Sequence, residues 1–123
     1  MPDVVFYREA PGRVPLHDWF EQLPQHARVK CLEAMERLGA EGHRLRRPHA
    51  DLLRDGIREL RVQDRGVQYR LLYFFHDSQV VVVSHGIVKK QSAVPDIEIE
   101  RALTRKRRFE TDPDRHSHEG ASS

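Results

Sequence analysis

The chain has 123 residues, a length typical of one domain with a single hydrophobic core. Its one cysteine, Cys31, excludes an intramolecular disulfide, and no apolar run approaches the roughly 18 residues of a membrane span. No basic and apolar signal segment opens the sequence. We therefore expect a cytoplasmic protein with no membrane partner.

The formal net charge is only +2, but the charges are unevenly distributed. Residues 1–43 carry a net charge of −2, residues 44–108 carry +7 and residues 109–123 carry −3. A basic region of this size beside acidic ones indicates a polyanionic partner for one surface. Solvated helix faces are the alternative explanation, and composition alone leaves it open.

The first third of the chain predicts one strand followed by two helices. Residues 3–8 (DVVFYR) predict a short strand that could pair at the edge of a central sheet. Pro15 favours a helix start, and apolar residues recur at helical spacing until Pro24. A second helix with one apolar stripe is predicted over residues 25–39. Helices joined so tightly predict an antiparallel hairpin over one face of the sheet.

Residues 42–56 (GHRLRRPHADLLRDG) have no regular pattern and are rich in arginine. We predict a loop in which Arg44, Arg46 and Arg47 contact RNA phosphates. A solvated linker fits the composition equally well. Arg58, which follows this loop, completes the set of candidate RNA-binding residues.

Residues 57–88 predict a three-stranded antiparallel meander. The first strand, IRELRVQ, follows a DG turn and alternates so that Glu59 and Arg61 share one face. An RG pair predicts the turn into YRLLYFF, and HDSQ predicts the turn into VVVV. Runs as apolar as these two favour strands that are buried on both faces.

The last predicted element is a helix that begins at Pro95. Acidic side chains lie in its early turns and basic ones at residues 105–108, the order that the helix macrodipole favours. The sequence thus predicts an α+β fold in a single domain over residues 1–109. Residues 110–123 are polar and small, and a disordered tail is predicted there. Its two histidines, His116 and His118, could bind a metal, but two ligands on a disordered tail do not predict a functional site, and no cofactor is predicted.

One charge, Arg70, interrupts the apolar run YRLLYFF. An unpaired buried charge is costly, so Arg70 must either reach the sheet edge or have an anionic partner, and a partner is the simpler explanation. That partner is either a bound anion, which we favour, or the Glu59 carboxylate. If the meander forms, four cations can surround one anion: Arg61, Arg70, Lys89 and Lys90.

RNA cleavage by its own 2′-hydroxyl needs little more than such a group of cations, because the scissile phosphate gains charge in the transition state. These four residues are therefore candidate catalytic residues. His85 is a fifth, as a general acid or base, because imidazole titrates near neutrality. A packed, hydrogen-bonded histidine is the alternative for His85. No Gly-rich phosphate loop, CxxC pair, HExxH motif or nucleophile elbow is present.

The order of elements and four segments resemble the RelE/ParE superfamily of type II toxins, most closely the HigB-like phage-derived toxins. The segments are LRDGIRELRV, YRLLYFF, HGIVKKQSAVP and IERALTRKRRF, and the similarity extends over about residues 3–109. It implies a RelE-like fold and a metal-independent endoribonuclease that cuts messenger RNA on the ribosome and so inhibits translation. It also implies a helix-turn-helix antitoxin as a partner, beside the ribosome and messenger RNA.

The resemblance also assigns roles to residues of this chain. The family's strand arginine corresponds to Arg70, a basic position on the preceding strand to Arg61, and the basic segment after the last strand to Lys89 and Lys90. These correspondences imply that the four side chains hold the scissile phosphate.

Two departures from the family pattern bear on activity. No tyrosine follows Tyr73, so the role of the family's catalytic tyrosine is vacant or passes to His85. A further family lysine falls near Glu59, which is an acid. Relatives of the same fold poison gyrase, so a non-catalytic toxin, or a degenerate one that only binds its antitoxin, is the alternative function.

Overall fold

The structure is a computed structural model that describes residues 2–119. These residues form six strands: β1 (Asp3–Tyr7), β2 (Ala50–Arg54), β3 (Ile57–Asp64), β4 (Val67–His76), β5 (Val80–Val88) and β6 (Ser117–His118). The same part of the chain forms three α-helices, α1 (Pro15–Glu21), α2 (Gln25–Glu41) and α3 (Asp96–Thr111), and a short 3-10 helix at Gly42–Arg44. The strands form one sheet in the order β2-β3-β4-β5-β1-β6. The predicted α+β class is therefore confirmed.

The predicted meander is confirmed as β3, β4 and β5, which pair antiparallel in chain order. The turn between β3 and β4 has positive φ at both central residues, 51° at Arg65 and 82° at Gly66. This left-handed geometry matches the twist of a two-residue hairpin, and glycine adopts it without strain. The RG pair thus sets the register of the two strands that carry the candidate site.

The prediction of a loop over residues 42–56 is wrong for its second half. Residues 50–54 form β2, which pairs antiparallel with β3 and extends the meander to four strands. The connecting turn has φ values of 53° at Asp55 and 83° at Gly56, so the DG pair is a hairpin turn. Leu52 on this edge strand is 52% exposed, which explains why ADLLR lacks the apolar alternation of a half-buried strand.

β1 lies inside the sheet and not at its edge. It runs parallel to β5, with Asp3 opposite Val80 and Phe6 opposite Val83, and antiparallel to β6 on its other side. Four of its five residues are buried, as expected for a strand that is covered on both faces.

The two faces of the sheet are covered by different helices. On one face, α1 and α2 pack over an apolar core that includes Leu16, Leu38 and Leu71, so both helices cover the same face, as predicted. On the other face, α3 packs through Ala102 and Phe109 over a second core. The centre of the sheet thus lies between α1 and α2 on one side and α3 on the other.

The prediction of a disordered tail from residue 110 is wrong for the described residues. α3 continues to Thr111, and β6 then pairs with β1. The Arg8 N–H donates to the His116 carbonyl at 2.9 Å, and His116 Nδ1–H donates to the Arg8 carbonyl at 2.7 Å. The His116 ring also stacks on Tyr7, with centroids 5.3 Å apart. Residues 120–123 lie outside the described residues.

Within residues 2–119, each helix is too short or too polar to cross a bilayer.

Candidate functional site

The candidate residues of β3 and β4 meet on the α3 side of the sheet. Arg61 lies directly opposite Arg70, and Arg70 lies opposite Ile87 of β5. Opposed residues project from the same face, so the two guanidinium groups are neighbours. Glu59 lies two residues before Arg61 and shares this face, as predicted.

The buried carboxylate of Glu59 contacts both arginines. Glu59 is only 4% exposed. Arg61 Nε donates to Glu59 Oε2 at 3.0 Å, and Arg70 Nε lies 3.3 Å from Glu59 Oε1. Arg61 Nη2 also reaches Asp51 Oδ2 of β2 at 3.3 Å. We refer to these four residues, Asp51, Glu59, Arg61 and Arg70, as the carboxylate–arginine cluster.

Arg70 is the more enclosed of the two arginines, at 6% exposure. Its Nη1 donates to the Tyr69 carbonyl at 2.9 Å and to Gln68 Oε1 at 3.3 Å. Burial lowers the pKa of Arg70, and the Glu59 carboxylate opposes that effect. The anionic partner that Arg70 requires is thus present inside the chain, which is the alternative that sequence analysis ranked second.

Arg61 is the accessible member of the pair, because its side chain is 31% exposed. A phosphate that approached this cluster would meet Arg61 first, and its oxygens would compete with the two carboxylates for the same N–H donors. Arg61 is therefore the arginine of the carboxylate–arginine cluster that solvent reaches more readily.

The two lysines follow directly after β5. The Lys89 N–H donates to the Gln68 carbonyl at 2.8 Å, which places Lys89 beside the strand that carries Arg70. Lys89 is half-buried and Lys90 is exposed. The structure thus brings both lysines to the end of the sheet where Arg61 and Arg70 lie.

His85 is buried between β5 and α3. Ser84 Oγ donates to His85 Nδ1 at 2.8 Å, and His85 Nε2–H donates to Glu98 Oε1 of α3 at 3.0 Å. Burial, followed by the charge of Arg105, lowers the pKa of His85 to about 4. The ring is therefore neutral at neutral pH with both nitrogens occupied, which matches the packed histidine of the sequence analysis.

The four candidate RNA-binding arginines do not form one group. Arg47 pairs with Asp51 at 2.8 Å and so adjoins the carboxylate–arginine cluster. Arg44 and Arg46 are exposed, and neither has an acidic partner within 4.0 Å among the described residues. Arg58 lies on the opposite face, with its guanidinium 5.8 Å from the centroid of the Phe75 ring.

The sequence predicts Glu59 only as the alternative partner of Arg70, and Asp51 is not among the predicted site residues. The signal for Glu59 was the spacing Glu-x-Arg in a strand, which puts both side chains on one face. Asp51 gave no such signal, because β2 was not recognised as a strand. No three His, Cys, Asp or Glu side chains among residues 2–119 are grouped so that they could hold a metal ion.

Residues 18–107 match the model of the family described as phage derived protein Gp49-like (DUF891). This match extends from α1 into α3 and spans well over half of the chain, so the chain belongs to the Gp49-like family. The family is associated with RelE- and HigB-like toxins and indicates a toxin of the toxin–antitoxin type, with an antitoxin as partner. No curated protein matches the sequence.

Proposed function

We propose that this protein is the toxin of a type II toxin–antitoxin system and cuts messenger RNA on the ribosome, in the manner of RelE and HigB. The observation that carries the proposal is the buried Glu59 carboxylate between Arg61 and Arg70. Family membership supports the toxin class. The proposed antitoxin is a helix-turn-helix protein that binds the toxin and holds it inactive.

A carboxylate beside two guanidinium groups suits attack by a ribose 2′-hydroxyl on the adjacent phosphate. The 2′-oxygen forms a bond to phosphorus while its proton passes to Glu59, and the bond from phosphorus to the 5′-oxygen breaks. The 5′-oxygen takes a proton from water, and the resulting hydroxide takes the proton from Glu59, which restores the carboxylate. The products are a 2′,3′-cyclic phosphate and a 5′-hydroxyl end, with no redox change and no metal.

The cations stabilise the charge that develops on the phosphate oxygens. Arg61 and Arg70 offer planar, paired N–H donors, while Lys89 and Lys90 contribute positive charge at the same end of the sheet. When the phosphate takes over donors of Arg61, a Glu59 oxygen is released to accept the 2′-hydroxyl proton. The cations and the base are therefore already neighbours in the unliganded protein, and the binding phosphate exchanges their contacts.

Cleavage by purified protein on programmed ribosomes tests this proposal. Glu59→Gln keeps the shape of the side chain and removes the base, so we expect the cleavage rate to fall by about 10² to 10⁴. The matched control is Arg13→Ala, an exposed cation in the turn before α1. Full activity of Glu59→Gln, or RNA ends without cyclic phosphate, would contradict the mechanism.

A second experiment identifies the target in growing cells by measuring translation and DNA replication separately. Loss of translation supports the cleavage of messenger RNA, whereas loss of replication supports the alternative of a gyrase poison.

A further inference from the structure

A second basic site lies next to the carboxylate–arginine cluster, at the outer edge of β3. A cavity of about 240 Å³ separates this edge from α2. Its polar lining comes from Lys30, Glu33, Arg37, His49, Arg61 and Gln63. We call this space the edge cavity. Because Arg61 borders it, the edge cavity adjoins the cluster.

The edge cavity exists because β2 stops short of the end of β3. The last residue pair between these strands is Ala50 opposite Leu60, and beyond it the Arg61 N–H donates to the His49 carbonyl at 2.8 Å. Outward-facing N–H groups alternate along an antiparallel strand, so the next one is that of Gln63. No described strand pairs with β3 at this position, and the Gln63 N–H therefore faces the cavity.

Side-chain donors converge on the same space. Arg37 Nη1 lies 3.1 Å from His49 Nδ1. Arginine can only donate, so His49 Nδ1 accepts and His49 Nε2 carries the proton, which makes Nε2 a further donor. The only acid in the lining is Glu33, and its contact with Lys30 at 4.0 Å joins two exposed side chains. Such a pair is weak and yields readily to a better anion.

We propose that the edge cavity binds a second phosphate of a single-stranded RNA, next to the phosphate held at the carboxylate–arginine cluster. The proposal rests on the function proposed above and names the path of the substrate strand. From a phosphate on Arg61, the strand turns around the open edge of β3 and places its neighbouring phosphate against Arg37, His49 and the Gln63 N–H.

The volume and the donors both favour a phosphate as the occupant. The cavity is several times larger than the roughly 30 Å³ that one water occupies in the liquid, so a tetrahedral phosphate group fits. Lys30 and Arg37 outnumber the single acid of the lining, while Arg61 is shared with the carboxylate–arginine cluster, where Glu59 and Asp51 pair with it. Backbone N–H groups and arginine are the donors that proteins commonly use for nucleic-acid phosphates.

The test measures RNA binding by the full chain with a labelled tetranucleotide that carries 2′-O-methyl groups and so cannot be cleaved. Arg37→Ala should weaken binding about tenfold, because one charge-assisted contact is lost. The slope of log affinity against log salt should become shallower by about 0.7, the value of one phosphate contact on a single strand. The matched control is Arg28→Ala, a cation of the same helix that does not line the cavity.

A neutral linkage locates the phosphate. A methylphosphonate placed one nucleotide from the linkage to be cleaved should weaken binding to the unaltered protein, and should weaken binding to Arg37→Ala no further. Arg37→Lys keeps the charge and should retain most of the affinity. Melting temperatures of the variants separate a lost contact from a lost fold.

Three results would overturn the assignment. The first is that the unaltered protein does not bind the tetranucleotide at low salt, and the second is that Arg37→Ala binds it equally well. The third is that Arg37→Ala loses affinity only for ribosomes that carry no messenger RNA. The last result would place a ribosomal RNA phosphate in the cavity.

Cleavage is a separate readout that distinguishes the two proposals. If binding depends on Arg37 but no cleavage occurs, only the proposed function is contradicted. If cleavage occurs but binding does not depend on Arg37, only the proposal for the edge cavity is contradicted.

Discussion

The ring of Trp19 fills the space that a side chain at Gly86 would need. A Cβ atom built on Gly86 would lie 2.4 Å from two carbons of the Trp19 ring and 2.7 Å from a third. α1 therefore approaches β5 closely only because residue 86 is glycine. This contact gives a packing reason for the glycine of the HGIVKK segment, which leads directly to Lys89 and Lys90.

Gly86→Ala should destabilise the protein by about 1–3 kcal/mol or more, because the partly buried Trp19 ring packs against the core and overlaps the position of the new Cβ. Denaturant unfolding measures the change. The same substitution in a Trp19→Ala background should cost little, because the ring that clashes is gone. An undiminished cost in that background would show that the strain arises elsewhere.

Glu59→Ala should destabilise the protein more than Arg70→Ala. Removal of Glu59 leaves the buried Arg70 without a carboxylate, a loss on the order of 3–5 kcal/mol for a buried pair, whereas removal of Arg70 leaves Glu59 still paired with Arg61. Thermal melting of both variants measures this difference. Equal melting temperatures would contradict it.

The same two variants separate stability from activity. Both should lose ribosome-dependent cleavage, and the apolar double variant Glu59→Met/Arg70→Leu should recover stability without recovering cleavage. A destabilised but fully active Arg70→Ala protein would show that Arg70 is only a partner for Glu59.

Lys89→Ala and Lys90→Ala should each reduce cleavage less than Arg70→Ala does. Lysine is a flexible point charge, so each lysine can partly replace the other, and the double variant should lose more than the product of the single losses. Lys89 should matter more, because the bond from its N–H to the Gln68 carbonyl fixes its position, whereas Lys90 is exposed. Cleavage rates at two salt concentrations measure the difference, with melting temperatures unchanged.

Stability should fall as the pH drops from about 6.5 towards 4. The pKa of His85 is lowered in the folded state, to about 4 from an ordinary value of 6.5, so the unfolded chain takes up a proton in this range and the folded chain does not. The contribution of His85 to the free energy of unfolding is fully present above pH 6.5. It decreases by up to roughly 3 kcal/mol as the pH falls to 4.

Unfolding of the protein and of His85→Gln across this pH range measures the effect, and the variant should show a flatter profile. His85→Gln should also leave the pH profile of cleavage unchanged, because the neutral ring links β5 to Glu98 of α3. A shifted cleavage profile would instead support acid–base chemistry by His85.

Removal of the residues after Thr111 should lower the melting temperature and promote self-association. The truncation removes β6, together with the His116 ring on Tyr7, and leaves the outer edge of β1 without a partner strand. Melting and size-exclusion chromatography detect both effects. His116→Ala, which keeps the backbone of β6, should lower the melting temperature and remain monomeric.

The meander could be predicted because its signals are local. The pair Arg65-Gly66 specifies its own turn geometry, HDSQ supplies the next turn, and the apolar runs between turns specify the strands. β6 is two polar residues long and exists only because β1 lies beside it, so its sequence carries no strand signal of its own. Elements of that kind depend on contacts far along the chain.

The sequence was enough to predict most residues of the candidate site, but not which carboxylate pairs with which arginine. That Glu59 and Arg61 share a face follows from alternation, but whether Glu59 reaches Arg70 depends on the register of β3 against β4, which places Glu59 opposite Leu72. A slip of one residue would move Glu59 to the other face. The choice between an internal and an external anion for Arg70 therefore depends on three-dimensional geometry.

The parallel pairing of β1 with β5 has a consequence for how the chain acquires its structure during synthesis. Asp3 can pair with β5 only after Val80 has been synthesised, and the other edge of β1 can pair with β6 only after His118 has been synthesised. Contacts this distant in sequence raise the contact order and slow folding relative to a helical protein of equal length. β1 therefore gains its first partner strand only when β5, the last strand of the meander, has been made, and its second only when the chain has been made as far as β6.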